Sequence, residues 1–310
     1  MIDNSILIPS KVIRVEDLRK SYKDVVAVDG ISFEVSQGEI FGLMGPNGAG
    51  KTTIVECLQG LRRHTSGTIR VLGLDPFTNP GALRRRIGSQ LQDSELPQRI
   101  KVWEALDLFS SITPGVNGWE KLMKQWDLEE KANASFSSLS GGQRQRLFIA
   151  LALVNNPEVV FLDEMTTGLD PLARHIAWDL IKEIRASGTT VVLVTHFMDE
   201  AEELCDRLAI VDKGKIVALD SPRGLTAKFA TSVRVAFSYN GNDLSWLREI
   251  SQVKKVTHVG TTVEVEGTGT VVSLVVAALV NHGIVPDDLR TRQPSLEDVF
   301  LTITGHRIEE

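Results

Sequence analysis

Ile40-Phe41-Gly42-Leu43-Met44-Gly45-Pro46-Asn47-Gly48-Ala49-Gly50-Lys51-Thr52 is the stretch that decides the fold. Residues 40–44 are a short apolar run of the kind that forms a buried strand. A glycine-rich loop follows, and residues 53–59 continue with helical character. Strand, loop and helix in this order, with G-x-x-x-x-G-K-[ST] in the loop, make a phosphate cradle. Glycines let backbone N–H groups turn inward. The helix adds its positive N-terminal end. Gly45, Asn47, Gly48 and Gly50 are the loop positions expected against the ligand. Lys51 places a point charge at the β- and γ-phosphates, and Thr52 offers a hydroxyl to Mg²⁺. Thr53 is expected on the α-phosphate side.

Working outward, Val159-Val160-Phe161-Leu162-Asp163-Glu164 runs four apolar residues into two acids. A buried parallel strand delivers its C-terminal end to the ligand crevice. Asp163 is then placed to hold Mg²⁺ through water. Glu164 is placed to orient and polarise an attacking water beside the γ-phosphate. Alone, such a strand end could be a solvated acidic turn; the phosphate loop upstream favours the catalytic reading. His196 follows the apolar strand 191–194 and Thr195. A histidine there is most often structural, but a strand end aimed at the same crevice favours a γ-phosphate contact. Gln92 follows a strand near Ile87, where its amide oxygen could reach Mg²⁺. Tyr22 lies between the first two strands, where an aromatic ring could stack on adenine.

With these residues and the segment Leu139-Ser140-Gly141-Gly142-Gln143, residues 12–230 resemble the nucleotide-binding domain of ATP-binding-cassette (ABC) transporters. In the family's motif order, Tyr22 matches the adenine-stacking aromatic and Gly45 to Thr52 the Walker A loop. Gln92 matches the Q-loop, Leu139 to Gln143 the signature, and Val159 to Glu164 Walker B. Gly168-Leu169-Asp170 matches the D-loop and His196 the switch histidine. The resemblance implies ATP with Mg²⁺ and head-to-tail pairing of two cassettes. Each ATP is then held between the Walker A loop of one chain and the signature of the other. Ser140 would supply a hydroxyl, and Gly141 and Gly142 open N–H groups, at the start of a helix running from Gly142. Gln143 and Asp170 complete that face. The motifs occur once, so the partner is a second copy or a related chain, with a homodimer expected. Where the family usually has proline after the catalytic glutamate, this chain has Met165. Proline there stiffens the turn without carrying chemistry, so a looser turn with intact activity is expected.

The chain has 310 residues, 42% hydrophobic and 24% charged, with net charge −6. The length accommodates one large domain and a small one. The acidic balance argues against bulk nucleic-acid binding. Cys57 and Cys205, each read as helical, are expected to be buried thiols. No secretory signal opens the sequence. The longest apolar stretch, residues 271–280, is too short to span a bilayer.

The expected fold is an α/β P-loop NTPase domain at residues 12–230, after a tail at 1–11. A helical subdomain occupies about 93–155. Residues 231–310 read as strands and helices in β-α-β-β-α order, a small α+β domain of ferredoxin-like type. This region resembles the extra domain of drug-exporter ATPases, including the daunorubicin-resistance type, most clearly at Pro294-Ser295-Leu296-Glu297-Asp298-Val299-Phe300-Leu301. That resemblance implies a separate ABC-2 type membrane permease, with this chain peripheral on the cytoplasmic face of the cell membrane. Importer ATPases and non-transport members of the superfamily are the competing readings. Sugar-type importers carry a longer, strand-rich tail; non-transport members usually carry tandem cassettes or long coiled coils. No Asn-Lys-x-Asp guanine motif occurs.

Overall fold

The computed structural model describes residues 10–90, 95–112, 118–229, 232–239, 241 and 244–305. The chain divides into two compact units, the first ending at Pro222 and the second beginning at Arg223. Residues 230 and 231, where the sequence reading put its boundary, lie outside the described residues, as do most of the N-terminal tail and residues 93 and 94.

The first unit holds two sheets. β1 (Lys11–Tyr22) pairs antiparallel with β2 (Val25–Ser36) and, on its other side, with β4 (Ser66–Val71). Ile13 and Val15 alternate inward, but Leu18 falls three positions on. A register shift between Val15 and Leu18, with Asp17 at φ 44°, restores Leu18 to the core face.

The second sheet comprises β3 (Ile40–Met44), β5 (Ile87–Gln90), β6 (Val159–Asp163), β7 (Thr190–Thr195), β8 (Arg207–Asp212) and β9 (Lys215–Asp220). Their order is β5-β6-β7-β3-β8-β9. All neighbours are parallel except β8 and β9, which are joined through Lys213 (φ 47°) and Gly214 (φ 77°). Both residues take the left-handed conformation that a two-residue hairpin turn needs. Every residue of β3, β6 and β7 is buried, as expected where both faces of a parallel sheet are covered.

Helix α1 (Lys51–Leu58) contributes Ile54, Val55, Cys57 and Leu58 to the central core. They meet Ile13, Val15 and Phe33 from one sheet and Phe41, Leu43, Phe161 and Val192 from the other. Phe33 stacks on Phe41 at 5.2 Å between ring centroids, linking the two sheets.

α2 (Pro80–Arg84) precedes β5. α3 (Val102–Ser111), α4 (Trp119–Gln125) and α5 (Gly141–Leu153) pack together as the helical segment. The sequence placed helix over 118–128. The observed helix stops at Gln125, because Asp127 turns the chain through φ 51°. α6 (Pro171–Ala186) and α7 (Met198–Leu204) flank β7. Cys57 and Cys205 are both buried free thiols, but Cys205 caps α7 in extended conformation instead of lying in a helix.

α8 (Pro222–Phe229) starts at the last residue of the first unit; the second unit continues with β10 (Val233–Ser238), β11 (Val253–Val259), β12 (Thr262–Gly267), α9 (Val271–Asn281), β13 (Arg290–Arg292) and α10 (Leu296–Thr304). The antiparallel sheet order β11-β12-β10-β13 is the split β-α-β order of ferredoxin-like folds. Its first crossover is a 3-10 turn at Ser245–Glu249, where the sequence predicted a helix. Val235, Phe237, Val263 and Val265 pack against Val271, Val275 and Leu279 of α9. Among the described residues, no helix is long and apolar enough to cross a membrane.

Candidate active site

Parallel pairing brings three strand ends to one edge of the second sheet. Met44 is level with Thr195, and Asp163 with Val194. The residues that follow, Gly45, Glu164 and His196, therefore emerge side by side.

The loop after β3 is held by close backbone approach. A Cβ on Gly45 would lie 2.1 Å from the Val211 carbonyl oxygen. Gly50, at φ 104°, caps α1, and a Cβ there would lie 2.4 Å from the Ala27 carbonyl oxygen. Asn47 and Gly48 are exposed at the loop tip, and Thr53 is half-buried. Lys51 is 4% exposed; its ammonium donates to the carbonyls of Gly45 (2.8 Å) and Pro46 (3.1 Å). Its Nζ lies 3.7 Å from Glu164 Oε1. Burial pushes the Lys51 pKa down, and the nearby Glu164 and Asp163 carboxylates oppose that shift.

Glu164 takes φ 47°, an uncommon conformation for a residue other than glycine and one that tends to sit at functional sites. Its N–H donates to the Val194 carbonyl at 3.0 Å, so the end of β6 is fastened to β7. Its Oε1 stands 3.4 Å from His196 Nδ1. His196, and secondarily Lys51, hold the Glu164 carboxyl below the usual carboxylate range despite its burial. The turn beyond it is closed by Thr167 N–H to Glu164 O and Leu169 N–H to Thr166 O, each 3.2 Å, with Met165 buried beneath. The turn with Met165 is thus packed and hydrogen-bonded.

Asp163 is 1% exposed, and burial pushes its carboxyl up to about 6. The Thr52 hydroxyl faces it. Among the described residues, neither Asp163 carboxylate oxygen has a hydrogen-bond partner of ordinary geometry. A buried, unpartnered carboxylate facing a threonine hydroxyl suits a hard divalent cation with oxygen ligands. The residues present therefore fit Mg²⁺.

The structure thus gathers Lys51, Thr52, Asp163, Glu164 and His196. The signature residues lie elsewhere. Ser140, Gly141, Gly142 and Gln143 line a cleft of about 500 Å³ with Arg146, Gly168, Leu169 and Asp170. None of the five clustered residues lines it. Ser140 caps α5, which begins at Gly141 and not at Gly142: its Oγ accepts from Gln143 N–H, and Gln143 Oε1 accepts from Ser140 N–H. Gln143 therefore spends its side chain on the cap. Asp170 likewise caps α6, accepting from Ala173 N–H at 2.9 Å. Tyr22 ends β1, with Lys20 and Arg62 over its ring at 4.7 and 5.2 Å. Gln92 lies outside the described residues.

One buried acid beside this site was not singled out from sequence. Glu200 in α7 has no exposed surface. It sits in the run Asp199-Glu200-Ala201-Glu202-Glu203, which reads as a solvated acidic face. The available signal was helical spacing: Glu200 shares a face with Leu204.

The ABC transporter family profile matches residues 28–167. Nod factor export ATP-binding protein I of Paraburkholderia xenovorans is 38% identical over 312 residues, covering 97% of this chain and 100% of the relative. Daunorubicin resistance ATP-binding protein DrrA2 of Streptomyces coeruleorubidus is 33% identical, covering 96% of each. Among solved structures, an ATP-binding subunit of an ABC transporter superposes with TM-score 0.63 at 27% identity, over 70% of this chain and 92% of that one. A dimeric cassette in a post-hydrolysis state with ADP and Pi superposes with TM-score 0.60 at 28% identity, over 67% and 98%. This chain belongs to the ABC transporter family, as one of its ATP-binding, ATP-hydrolysing subunits.

Proposed function

We propose that this chain powers an exporter, coupling ATP-driven head-to-tail pairing of two cassettes to movement of a small, drug-like molecule through a separate permease. The observation that carries the catalytic part is the Glu164 carboxylate, set between Lys51 (3.7 Å) and His196 (3.4 Å) at a strand end beside Asp163. An ionised acid there can accept hydrogen bonds from the attacking water and take up its proton. Lys51 neutralises the β- and γ-phosphates. His196 contacts the γ-phosphate. Thr52 and, through water, Asp163 would hold Mg²⁺, with Gln92 as a further ligand. When bound, the metal would supply positive charge to offset the charge of the phosphate oxygens.

Gly45, Asn47, Gly48 and Gly50 cradle the phosphates, with Thr53 on the α-phosphate side. Tyr22 stacks on adenine, which requires the Lys20 and Arg62 side chains to share or leave its ring. The cleft of Ser140, Gly141, Gly142, Gln143 and Asp170 receives the ATP carried by a second copy. The open surface at Gly141 and Gly142, where an added Cβ meets nothing within 4 Å, favours that approach.

Export is supported by the relatives named for Nod factor export and daunorubicin resistance, which align along nearly the whole chain. The permease, of ABC-2 type, holds the chain at the cytoplasmic face of the membrane. A cleft of about 340 Å³ lined by Leu61, Arg84, Phe109, Ile112 and Asn155 suits an amphipathic permease segment. Leu61 and Ile112 are 51% and 69% exposed there.

Phosphate release from ATP by the purified chain, with Mg²⁺ present or chelated, tests the ATPase. Metal-independent release would overturn the site assignment. Co-isolation with a co-expressed six-helix membrane protein of ABC-2 type tests the permease assignment. Ile112→Asp is expected to weaken that co-isolation while leaving ATP binding intact.

A further inference from the structure

Glu200 is a carboxyl without solvent contact, four residues beyond His196 and in the first turn of α7. Burial pushes its pKa up, so the neutral acid is favoured. Its Oε1 accepts from Trp178 Nε1–H at 3.2 Å. The hydroxyls of Thr195 and Thr166 also face the carboxyl.

These three neighbours come from three different segments. Thr195 immediately precedes His196, and its hydroxyl accepts from the Phe197 N–H at 2.9 Å, closing the turn that carries the imidazole. Thr166 lies two residues after Glu164, in the turn closed by Leu169 N–H. Trp178 is on α6, whose cap is Asp170. Glu200 is therefore the point where the His196 turn, the Glu164 turn and the Asp170 helix meet.

A leucine at this position would fill the same space without the cost of burying a carboxyl. The Thr166 hydroxyl and Glu200 Oε2 are both buried and, among the described residues, without a partner of ordinary geometry, though they face each other.

We propose that Glu200 is a positioning residue, whose carboxyl ties the turn of His196 to the turn of Glu164 and so holds both side chains toward the same γ-phosphate. The proposal rests on the ATPase reading above.

The test is steady-state ATP hydrolysis and ATP binding in the full chain, for Glu200→Ala, Glu200→Gln and Thr166→Val. Glu200→Ala is expected to lower kcat by roughly 10- to 100-fold, as for a misplaced reacting group, with the Kd for ATP within about twofold. Glu200→Gln is expected to stay within about threefold of wild type, because an amide can accept from Trp178 and donate to the threonines. Thr166→Val keeps the volume, so it carries the test should Glu200→Ala fail to fold. It is expected to lower kcat several-fold with unchanged Kd. In a Glu164→Gln background, Glu200→Ala is expected to add less than its full loss, since one of the two groups it positions is already disabled.

Wild-type turnover in Glu200→Ala or Thr166→Val would overturn the proposal. So would a full additional loss in the Glu164→Gln background, or a Glu200→Gln variant as impaired as Glu200→Ala. A wild-type chain without Mg²⁺-dependent hydrolysis would instead sink the ATPase reading and this proposal with it.

Discussion

Asp163 and Glu164 are consecutive residues whose carboxyls are driven in opposite directions. Burial pushes Asp163 up to about 6, while His196 and Lys51 hold Glu164 down. On the proposed mechanism the pair divides the labour of the site. The unpartnered Asp163 gains from a cation, which would restore its ionised form. Glu164 is held in its ionised form, which the proposed mechanism uses to act on water.

Glu164→Gln keeps the shape of the side chain and removes its basicity. Turnover is expected to fall by about 10² to 10⁴. ATP binding is expected to survive, because Lys51, Thr52 and Asp163 are untouched. Uncleaved ATP should then hold two copies together, giving a dimer in ATP and a monomer without it by size-exclusion chromatography with light scattering. Adding Ser140→Arg places a long cation at the cap of α5 and is expected to return the protein to monomer. Hydrolysis at the wild-type rate in Glu164→Gln would remove the glutamate from the mechanism.

Lys51→Ala removes an ammonium that the loop already organises through the Gly45 and Pro46 carbonyls. It leaves those carbonyls and Glu164 without their cation in a buried place. Nucleotide binding, followed by calorimetric titration with ATP and Mg²⁺, is expected to be abolished or nearly so. Wild-type affinity would show that the triphosphate lies elsewhere.

The parts of the site that announce themselves in sequence are those whose chemistry is local. Gly45 to Thr52 is one continuous loop, and Val159 to Glu164 is one strand with its ending. His196 was legible only as a strand end, and parallel pairing of β6, β3 and β7 supplied the rest. The elements that escaped lack a pattern of their own. β4 turns only Ile69 and Val71 inward, β13 is three exposed residues, and α7 hides one buried acid among three solvated ones. Glu200 derives its meaning from Thr166, Thr195 and Trp178, which are distant in sequence or on other elements.

The glycines of the two clefts should respond differently to one methyl group. Gly45→Ala drives a Cβ onto the Val211 carbonyl, a backbone atom that cannot swing aside. A loss of about 1–3 kcal/mol in stability is expected from such overpacking, with weaker ATP binding. Gly141→Ala meets nothing within 4 Å and lies in the first turn of a helix. It should keep or slightly raise stability and keep ATP affinity in the single chain. Only ATP-dependent pairing is expected to suffer, because the methyl group occupies the cleft face. Urea unfolding with nucleotide titration separates the two, and equal destabilisation would refute the distinction.

Glu200 gives a pH dependence whose sign is fixed by its burial. Its folded-state pKa lies above the ordinary value of 4.5, so between those two values the native chain binds more protons than the unfolded chain. Stability from this group is then fully present below 4.5 and is lost as pH rises toward and through the folded pKa. Glu200→Gln cannot ionise and escapes that loss. The difference in Tm between Glu200→Gln and wild type should therefore grow in favour of the variant as pH is raised from about 4.5. Asp163, whose pKa is also raised by burial, contributes a trend of the same sign to both proteins and cancels in the difference. Asp199, adjacent in sequence and paired with Arg174 at 3.2 Å, is likewise common to both. Thermal unfolding of the two proteins in matched buffers across this range decides the matter. A Tm difference that stays flat, or that turns against Glu200→Gln as pH rises, would mean that the carboxyl is ionised in the native chain and works as a charge, not as a neutral hydrogen-bonding link between the two turns.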